Sequence, residues 1–239
     1  MRRAKLAIKK RGPLKLERRF LQYPLVVRLL ELAIRERDHV SGMLYLIAYA
    51  FFLRVRSEAL GATLGTVSHR RDLPEEAHSS LCLNEEKGEL VFVLSKRKNR
   101  LHGSRLARHC WCNRMRHALC PIHVFGAWIK TLPPGTAPFG RVSADRALAE
   151  LRRRLAALRV GRPSEFRLHD FRGGHATDMA EFGRPLNIIL QAGEWKSAAF
   201  TAYLNFADLE AKVGLPFFCP YGAVLLGIGG SHGRSRRSK

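Results

Sequence analysis

The chain has 239 residues, of which 42 are Lys or Arg and 20 are Asp or Glu, a formal charge of +22. Its apolar share of 46% is enough for a sizeable core, which excludes a basic disordered tail. A folded chain with this excess is expected to meet a polyanion, nucleic acid first and an anionic membrane second.

Five cysteines, an odd number in a chain too long to need disulfide staples, fit a reducing compartment rather than secretion. Residues 1–19 carry nine Lys/Arg and one acid, so residues 1–23 read as a basic flexible arm. Such an arm is either simply solvated, or contacts phosphates, or serves nuclear import. It has no uninterrupted apolar core and is no signal peptide.

Pro24 then opens an amphipathic helix with Val26, Val27, Leu29, Leu30, Leu32, Ala33 and Ile34 on its apolar face. Residues 42–53 (GMLYLIAYAFFL) are apolar all round. A bilayer span needs about 20 such residues, so this stretch reads as a buried helix and no membrane partner is expected. Two β-rich runs, residues 80–83 and 90–94, flank a polar turn with Gly88 and predict an antiparallel hairpin. Pro121 starts a helix through Ile129, and Pro133, Pro134 and Gly135 end it. Ser143 is the predicted N-cap of a longer helix that turns Ala147, Leu148, Leu151, Leu155 and Leu158 inward and stops at Gly161. Shorter helices are predicted over residues 169–182, 185–192 and 198–209, followed by a segment, residues 211–239, that ends in a basic tail. There is no internal repeat. The predicted fold is mostly α with a small antiparallel β-hairpin or sheet.

Cys110-Trp111-Cys112 followed by Cys120-Pro121-Ile122-His123 offers three thiols and an imidazole, the ligand set of a tetrahedral structural zinc site. The alternative is a group of buried free cysteines. His109 and His117 stand as substitute ligands. A metal here would pin the loop after the hairpin to the next helix and take no part in chemistry.

The chemistry lies between Leu168 and Leu204. His169-Asp170-Phe171-Arg172 sets a histidine and an arginine three apart at a helix start, so both can face one point. Gly193-Glu194-Trp195 follows, and Tyr203 stands ten residues after Gly193 and 31 after Arg172. This order resembles the C-terminal catalytic block of the tyrosine recombinases, the phage integrase family. Their pattern is His-x-x-Arg, then Gly-His or Gly-Trp, then a nucleophilic tyrosine at a similar distance.

The resemblance implies further residues over roughly residues 24–210, read as a catalytic domain. The family's first arginine follows an apolar helix and precedes a Ser-Glu pair. Phe52-Leu53-Arg54-Val55-Arg56-Ser57-Glu58 has that look, with Arg54 favoured and Arg56 the alternative. The register is open, because many members place this arginine three before the Glu, where Val55 stands. The family's lysine sits on a β-hairpin, which implies Lys98, with Lys96 as the alternative. At the Gly-His or Gly-Trp position Glu194 would repel phosphate, so it is expected to turn away and Trp195 to supply the contact through its indole N–H. The Gly-Glu-Trp form is similar to recombinases of eukaryotic mobile elements, which would put the protein in the nucleus; otherwise it would be cytoplasmic.

The physical logic agrees. An in-line attack on a phosphodiester piles charge on the non-bridging oxygens, and preorganised guanidiniums at Arg54 and Arg172 would stabilise it. Arginine suits the role because its fork binds two oxygens and stays charged. A tyrosine at a pKa of about 10 needs a proton acceptor, a role for His169, and the leaving 5′-oxygen needs a proton, a role for the lysine. The product would be a 3′-phosphotyrosine, reversible by a second 5′-hydroxyl, with no cofactor needed for the reaction.

The expected partner is double-stranded DNA, with self-association into synaptic tetramers as in the family. The family's N-terminal helical DNA-binding domain has no counterpart in the 23 residues before the block, so a catalytic domain alone is expected. The competing expectations are a decayed, element-derived remnant that holds DNA without cutting it and, more distantly, a type IB topoisomerase-like enzyme.

Overall fold

A computed structural model describes residues 19–65, 79–95, 97, 103–112 and 117–195. Among these, Lys96, Lys98 and Tyr203 are absent. They lie outside the described residues, as do the predicted helix over residues 198–209 and the C-terminal tail.

Helix α1, Tyr23–Arg35, starts on Pro24, whose missing N–H costs nothing in a first turn, and buries Val26, Leu29, Leu30 and Ala33. Asp38 then caps α2, His39–Ala50, by accepting from the Ser41 N–H at 3.1 Å. Every residue of α2 from Ser41 to Ala50 is buried, so this helix is the centre of the core. It begins earlier and ends earlier than the apolar run alone suggests, because the cap fixes its start and Phe52, at φ 54°, turns the chain out of it. No helix among the described residues is long and apolar enough to cross a membrane.

A π-helical turn, Val55–Ala59, follows and leads to a four-stranded sheet. The sheet runs β1, Thr63–Leu64; β2, Ser80–Asn84; β3, Glu89–Leu94; β4, Ser104–His109, in that spatial order. The expected hairpin is β2–β3, paired from Ser80↔Val93 to Asn84↔Glu89, with Gly88 at φ 58° in its turn. β4 extends it antiparallel, and β1 pairs parallel to β2. The fold is thus mostly helical with a small sheet, larger than the hairpin that the sequence suggests. β4 docks on α2 through Arg108, whose Nε donates to Ala50 O at 2.7 Å and whose guanidinium lies over the Phe51 ring.

A second π-helical turn, Pro121–Gly126, runs into the short α3, Ala127–Ile129. Ser143 caps α4, Ala144–Ala157, accepting from the Arg146 N–H at 3.1 Å. This helix buries Ala147, Leu151 and Leu155, while Leu148 and Leu158 are half-buried. The chain leaves α4 before Gly161, through Arg159 at φ 56°. A residue read as polar joins the buried face: Arg154, 1% exposed, donates to Glu36 at 2.8 Å, to Tyr45 Oη at 2.9 Å and to Asp38 at 2.6 Å. Three acceptors satisfy its fork, so α4 is locked to the α1–α2 corner by a charge that burial alone would penalise.

Helix α5, Asp170–Glu181, crosses α2, and α6, Leu186–Gly193, packs beside it. Residues 19–22, expected at the end of a flexible arm, pack against α5 instead. Leu21 is fully buried and its N–H donates to Asp170 O at 3.2 Å. The approach is close: a Cβ on Gly174 would fall 1.9 Å from Leu21 O, and one on Gly173 2.3 Å from the Phe20 ring. The Gly173-Gly174 pair is what lets this segment lie on the helix.

Candidate functional site: an arginine network beside a Cys3His cluster

The π-helical turn decides how the Arg54 segment is presented. Arg54 is the extended residue that precedes it, and Glu58, four residues on, donates its N–H to Arg54 O at 2.8 Å and lies on the same side. Arg54 donates through its backbone N–H to Glu58 Oε2 at 2.8 Å and through Nη1 to Oε1 at 3.2 Å. Arg56 is exposed and joins none of these contacts.

Glu58 is 2% exposed and is answered by a second guanidinium. Arg97 Nε donates to Glu58 Oε1 at 3.3 Å, its Nη1 to Glu194 Oε2 at 2.7 Å and its Nη2 to Phe52 O at 3.3 Å. Arg172, from the first turn of α5 and 1% exposed, donates to the same Phe52 carbonyl through Nη1 and to Gly193 O through Nη2. Arg54, Arg97 and Arg172 are therefore joined through Glu58 and one backbone oxygen. Phe52 holds that oxygen in place with a left-handed φ, a strained conformation for a residue with a Cβ, of the kind kept where the surroundings over-determine it.

The Glu194 carboxylate, with Glu194 at φ 52°, is taken by Arg97 and by Ser104 Oγ, which donates to it at 2.8 Å. Trp195 folds back so that its ring lies 4.4 Å from the Arg172 guanidinium and edge-on to Phe52. That return is possible because residue 193 is glycine: a Cβ there would meet the indole at 1.8 Å. In the chain as folded, Trp195 thus contributes its ring face to Arg172.

His169 is half-buried at the N-cap of α5, and its carbonyl accepts from the Arg172 and Gly173 N–H groups. His175 lies on α5 as well. Its ring is stacked between Tyr49 at 4.4 Å and Phe52 at 4.2 Å, and its Nδ1–H donates to Tyr49 O at 2.8 Å. Burial there lowers its pKa to about 3, which keeps it neutral.

Sequence reasoning missed Arg97 and Ser104. The one available signal was the position of Arg97 between Lys96 and Lys98 in the hairpin. In a basic run nothing in the residue type says which member is buried.

The second assembly is the Cys110, Cys112, Cys120 and His123 cluster, whose ligand atoms all lie within 4.8 Å of one another. His123 Nδ1 is 3.5 Å from Cys110 Sγ, 3.1 Å from Cys112 Sγ and 3.5 Å from Cys120 Sγ, and the Cys110 and Cys120 sulfurs are 3.7 Å apart. Backbone N–H groups of Cys112, Trp111 and His117 donate to the Cys110, Cys120 and Cys112 sulfurs. Burial raises the Cys110 thiol to about 11. At Cys120 burial also pushes up, but the N–H groups of His123, Trp111 and Ile122 outweigh it and bring the thiol down to about 7.

This set can hold a metal ion. The substitute ligands stand elsewhere: His117 Nδ1 accepts from the Leu119 N–H at 3.2 Å, and His109 Nε2 lies 3.6 Å from Glu89. Trp111, between two of the ligands, packs edge-on to His175 at 5.9 Å. The cluster and the arginine network are therefore joined by Trp111, His175 and Phe52.

Compared with known proteins, the chain matches no protein-family model and none of the curated proteins.

Proposed function

We propose that this chain is a DNA strand-breaking and rejoining protein of the tyrosine-recombinase type. The observation that carries the reading is the convergence of Arg54 and Arg172, distant in sequence, on one network with Arg97 and the Phe52 carbonyl. Guanidiniums fixed by carbonyls and carboxylates are preorganised, which is what stabilising the charge of an in-line phosphoryl transfer requires. The Tyr203 hydroxyl would attack the phosphorus, His169 would accept its proton, and Lys98 or Lys96 would protonate the departing 5′-oxygen. One P–O bond forms as one breaks, leaving a 3′-phosphotyrosine whose reversal by a free 5′-hydroxyl rejoins the strand.

A second reading, a remnant that holds DNA without cutting it, is favoured by one specific observation. Arg172 is buried with both terminal nitrogens on backbone carbonyls, and Arg97 is engaged by Glu58 and Glu194, so phosphate would have to displace internal partners. A nicked suicide duplex separates the two readings. Wild type should trap a covalent DNA adduct that Tyr203→Phe cannot form while binding DNA equally well; absence of an adduct in both overturns the enzyme reading. Relaxation of supercoiled DNA without sequence preference would favour the type IB topoisomerase reading instead.

The Cys3His cluster fits a structural zinc ion. Tetrahedral zinc with Zn–S of about 2.3 Å and Zn–N of about 2.0–2.1 Å sets S···S edges near 3.8 Å and S···N edges near 3.6 Å. The observed 3.7 Å and 3.1–3.5 Å lie close to these values. Four protein ligands leave no open position, so the ion would brace the fold, and the backbone N–H···S bonds would support its thiolates.

A further inference from the structure

Several arginines meet on one loop. Arg28 Nη2 donates to Leu158 O at 3.2 Å, and Arg152 Nε donates to Phe166 O at 3.1 Å. A Cβ on Gly161 would lie 3.5 Å from Arg19 Nη1. Guanidiniums from the N-terminal segment, α1 and α4 thus gather on the loop over residues 158–167. That loop itself carries exposed Arg159, Arg162 and Arg167. Among the described residues a single carboxylate pairs with them, Glu165, with Arg162 at 3.2 Å. Among the described residues, Arg19, Arg28, Arg159 and Arg167 have no ion pair. Arg159 and Arg162 sit at φ 56° and 53°, where glycine or asparagine would be less strained, so the loop keeps arginine against its backbone preference.

We propose that this ridge is a second contact for the phosphate backbone of duplex DNA, distinct from the Arg54–Arg97–Arg172 network. It begins where the basic N-terminal residues meet the fold at Arg19 and ends at Arg167, two residues before His169. Its chemistry is that of a sequence-blind clamp: guanidiniums matched to phosphate oxygens, with no base-reading element between them. Duplex fits better than single-stranded nucleic acid, which binds through aromatic stacking platforms. The ridge has no exposed ring, and its one aromatic residue, Phe166, is 3% exposed. An anionic membrane fits less well, because the exposed large hydrophobic residues among those described, Ile34 and Leu186, both lie off the ridge. The inference rests on the duplex partner of the proposed function but not on its strand-breaking chemistry.

The test is the salt dependence of duplex binding by the full chain, with a duplex of arbitrary sequence. The ridge variant carries Arg159→Asn, Arg162→Asn and Arg167→Gln, with asparagine chosen because it tolerates the left-handed positions. The control, Arg35→Gln, Arg141→Gln and Arg146→Gln, removes the same charge from exposed arginines elsewhere. Each phosphate contact contributes about 0.9 to the slope of log K against log salt. The ridge variant should lose about 2–3 from that slope and more than about tenfold in affinity at moderate salt, with the control close to wild type. Equal losses in both variants, or none in the ridge variant, overturn the proposal. So does a ridge variant that loses binding to a single strand or to anionic vesicles but keeps the duplex. Thermal melting of all three proteins verifies folding. If wild type forms no covalent adduct, the strand-breaking reading falls while the salt slopes still decide the ridge.

Discussion

Arg97 holds the buried Glu58 carboxylate, the half-buried Glu194 carboxylate and a strained carbonyl with one side chain. Its fork reaches Glu58, Glu194 and Phe52 O at once, whereas a lysine ammonium is a point donor on a flexible stem. Arg97→Gln would leave Glu58, at 2% exposure, with Arg54 as its remaining guanidinium and would remove the Arg97 pair from Glu194. Breaking a buried pair by removing one partner costs about 3–5 kcal/mol, so urea unfolding should register a loss of that order. Arg97→Lys should recover only part of it. An unchanged midpoint in Arg97→Gln would mean that the network is not a structural unit. The sequence carried Arg54, Arg172, Glu194 and Trp195 into view through their spacing. It could not carry Arg97, because burial of one cation in Lys96-Arg97-Lys98 is decided by Glu58, Phe52 O and Glu194 arriving from distant parts of the chain.

At the scale of elements, α5 is the hub, and Asp178 is where the N-terminal segment is fastened to it. Asp178 accepts from Tyr49 Oη at 2.6 Å, the Tyr23 N–H at 2.8 Å and Gln22 Nε2 at 3.2 Å. Burial nevertheless wins over these bonds and, with help from Glu181, raises its pKa to about 6. The folded state then holds this proton more tightly than the unfolded chain does. The stability it contributes is full below about pH 4 and is lost as the pH rises through 6. His175 works in the opposite sense: its lowered pKa gives stability that is present above about pH 6.5 and lost as the pH falls toward 3. The measurement is therefore a difference. The stability of wild type minus that of Asp178→Asn should fall between pH 4 and 7; a difference that stays flat would contradict the assigned burial.

The Cys3His cluster pins β4 to the turn that opens on Pro121, so removing a bound ion should loosen both. We expect one zinc per chain and a lower melting temperature after chelation, restored by zinc. Cys112→Ser should melt at the chelated temperature and ignore chelator. A purified chain with no bound metal and no response to added zinc would make these free thiols.

Elements with strong local signals were legible: the Pro24 and Ser143 starts, the hairpin around Gly88, and the two helices after His169. β4 was not, since its sequence, SRLARH, is basic and acquires strand character only by pairing with β3. β1 is two residues long and exists only because β2 lies beside it. Arg154 was hidden for a related reason. Its burial depends on Glu36, Asp38 and Tyr45 arriving from two other helices.

For the molecule as a whole, the excess of +22 divides into charges with different work. Arg97, Arg154 and Arg172 are inside, spent on carboxylates and carbonyls. The ridge around residues 158–167 is outside, with one ion pair, Arg162–Glu165, among its described residues. An interior set that organises one site and an exterior set that attracts a polyanion are what a protein acting on a single phosphodiester in a long duplex needs. Along the chain, His169, the N-cap of α5, stands between Arg167 of the ridge and Arg172 of the network. Strand breakage through Tyr203 is the reaction we propose for this arrangement. The most direct test incubates the full chain with a nicked suicide duplex and resolves protein–DNA adducts under denaturing conditions. An adduct on the 3′ phosphate is expected in wild type, lost in Tyr203→Phe and strongly reduced in Arg172→Lys. Duplex bound tightly by wild type with no adduct at any time would contradict it.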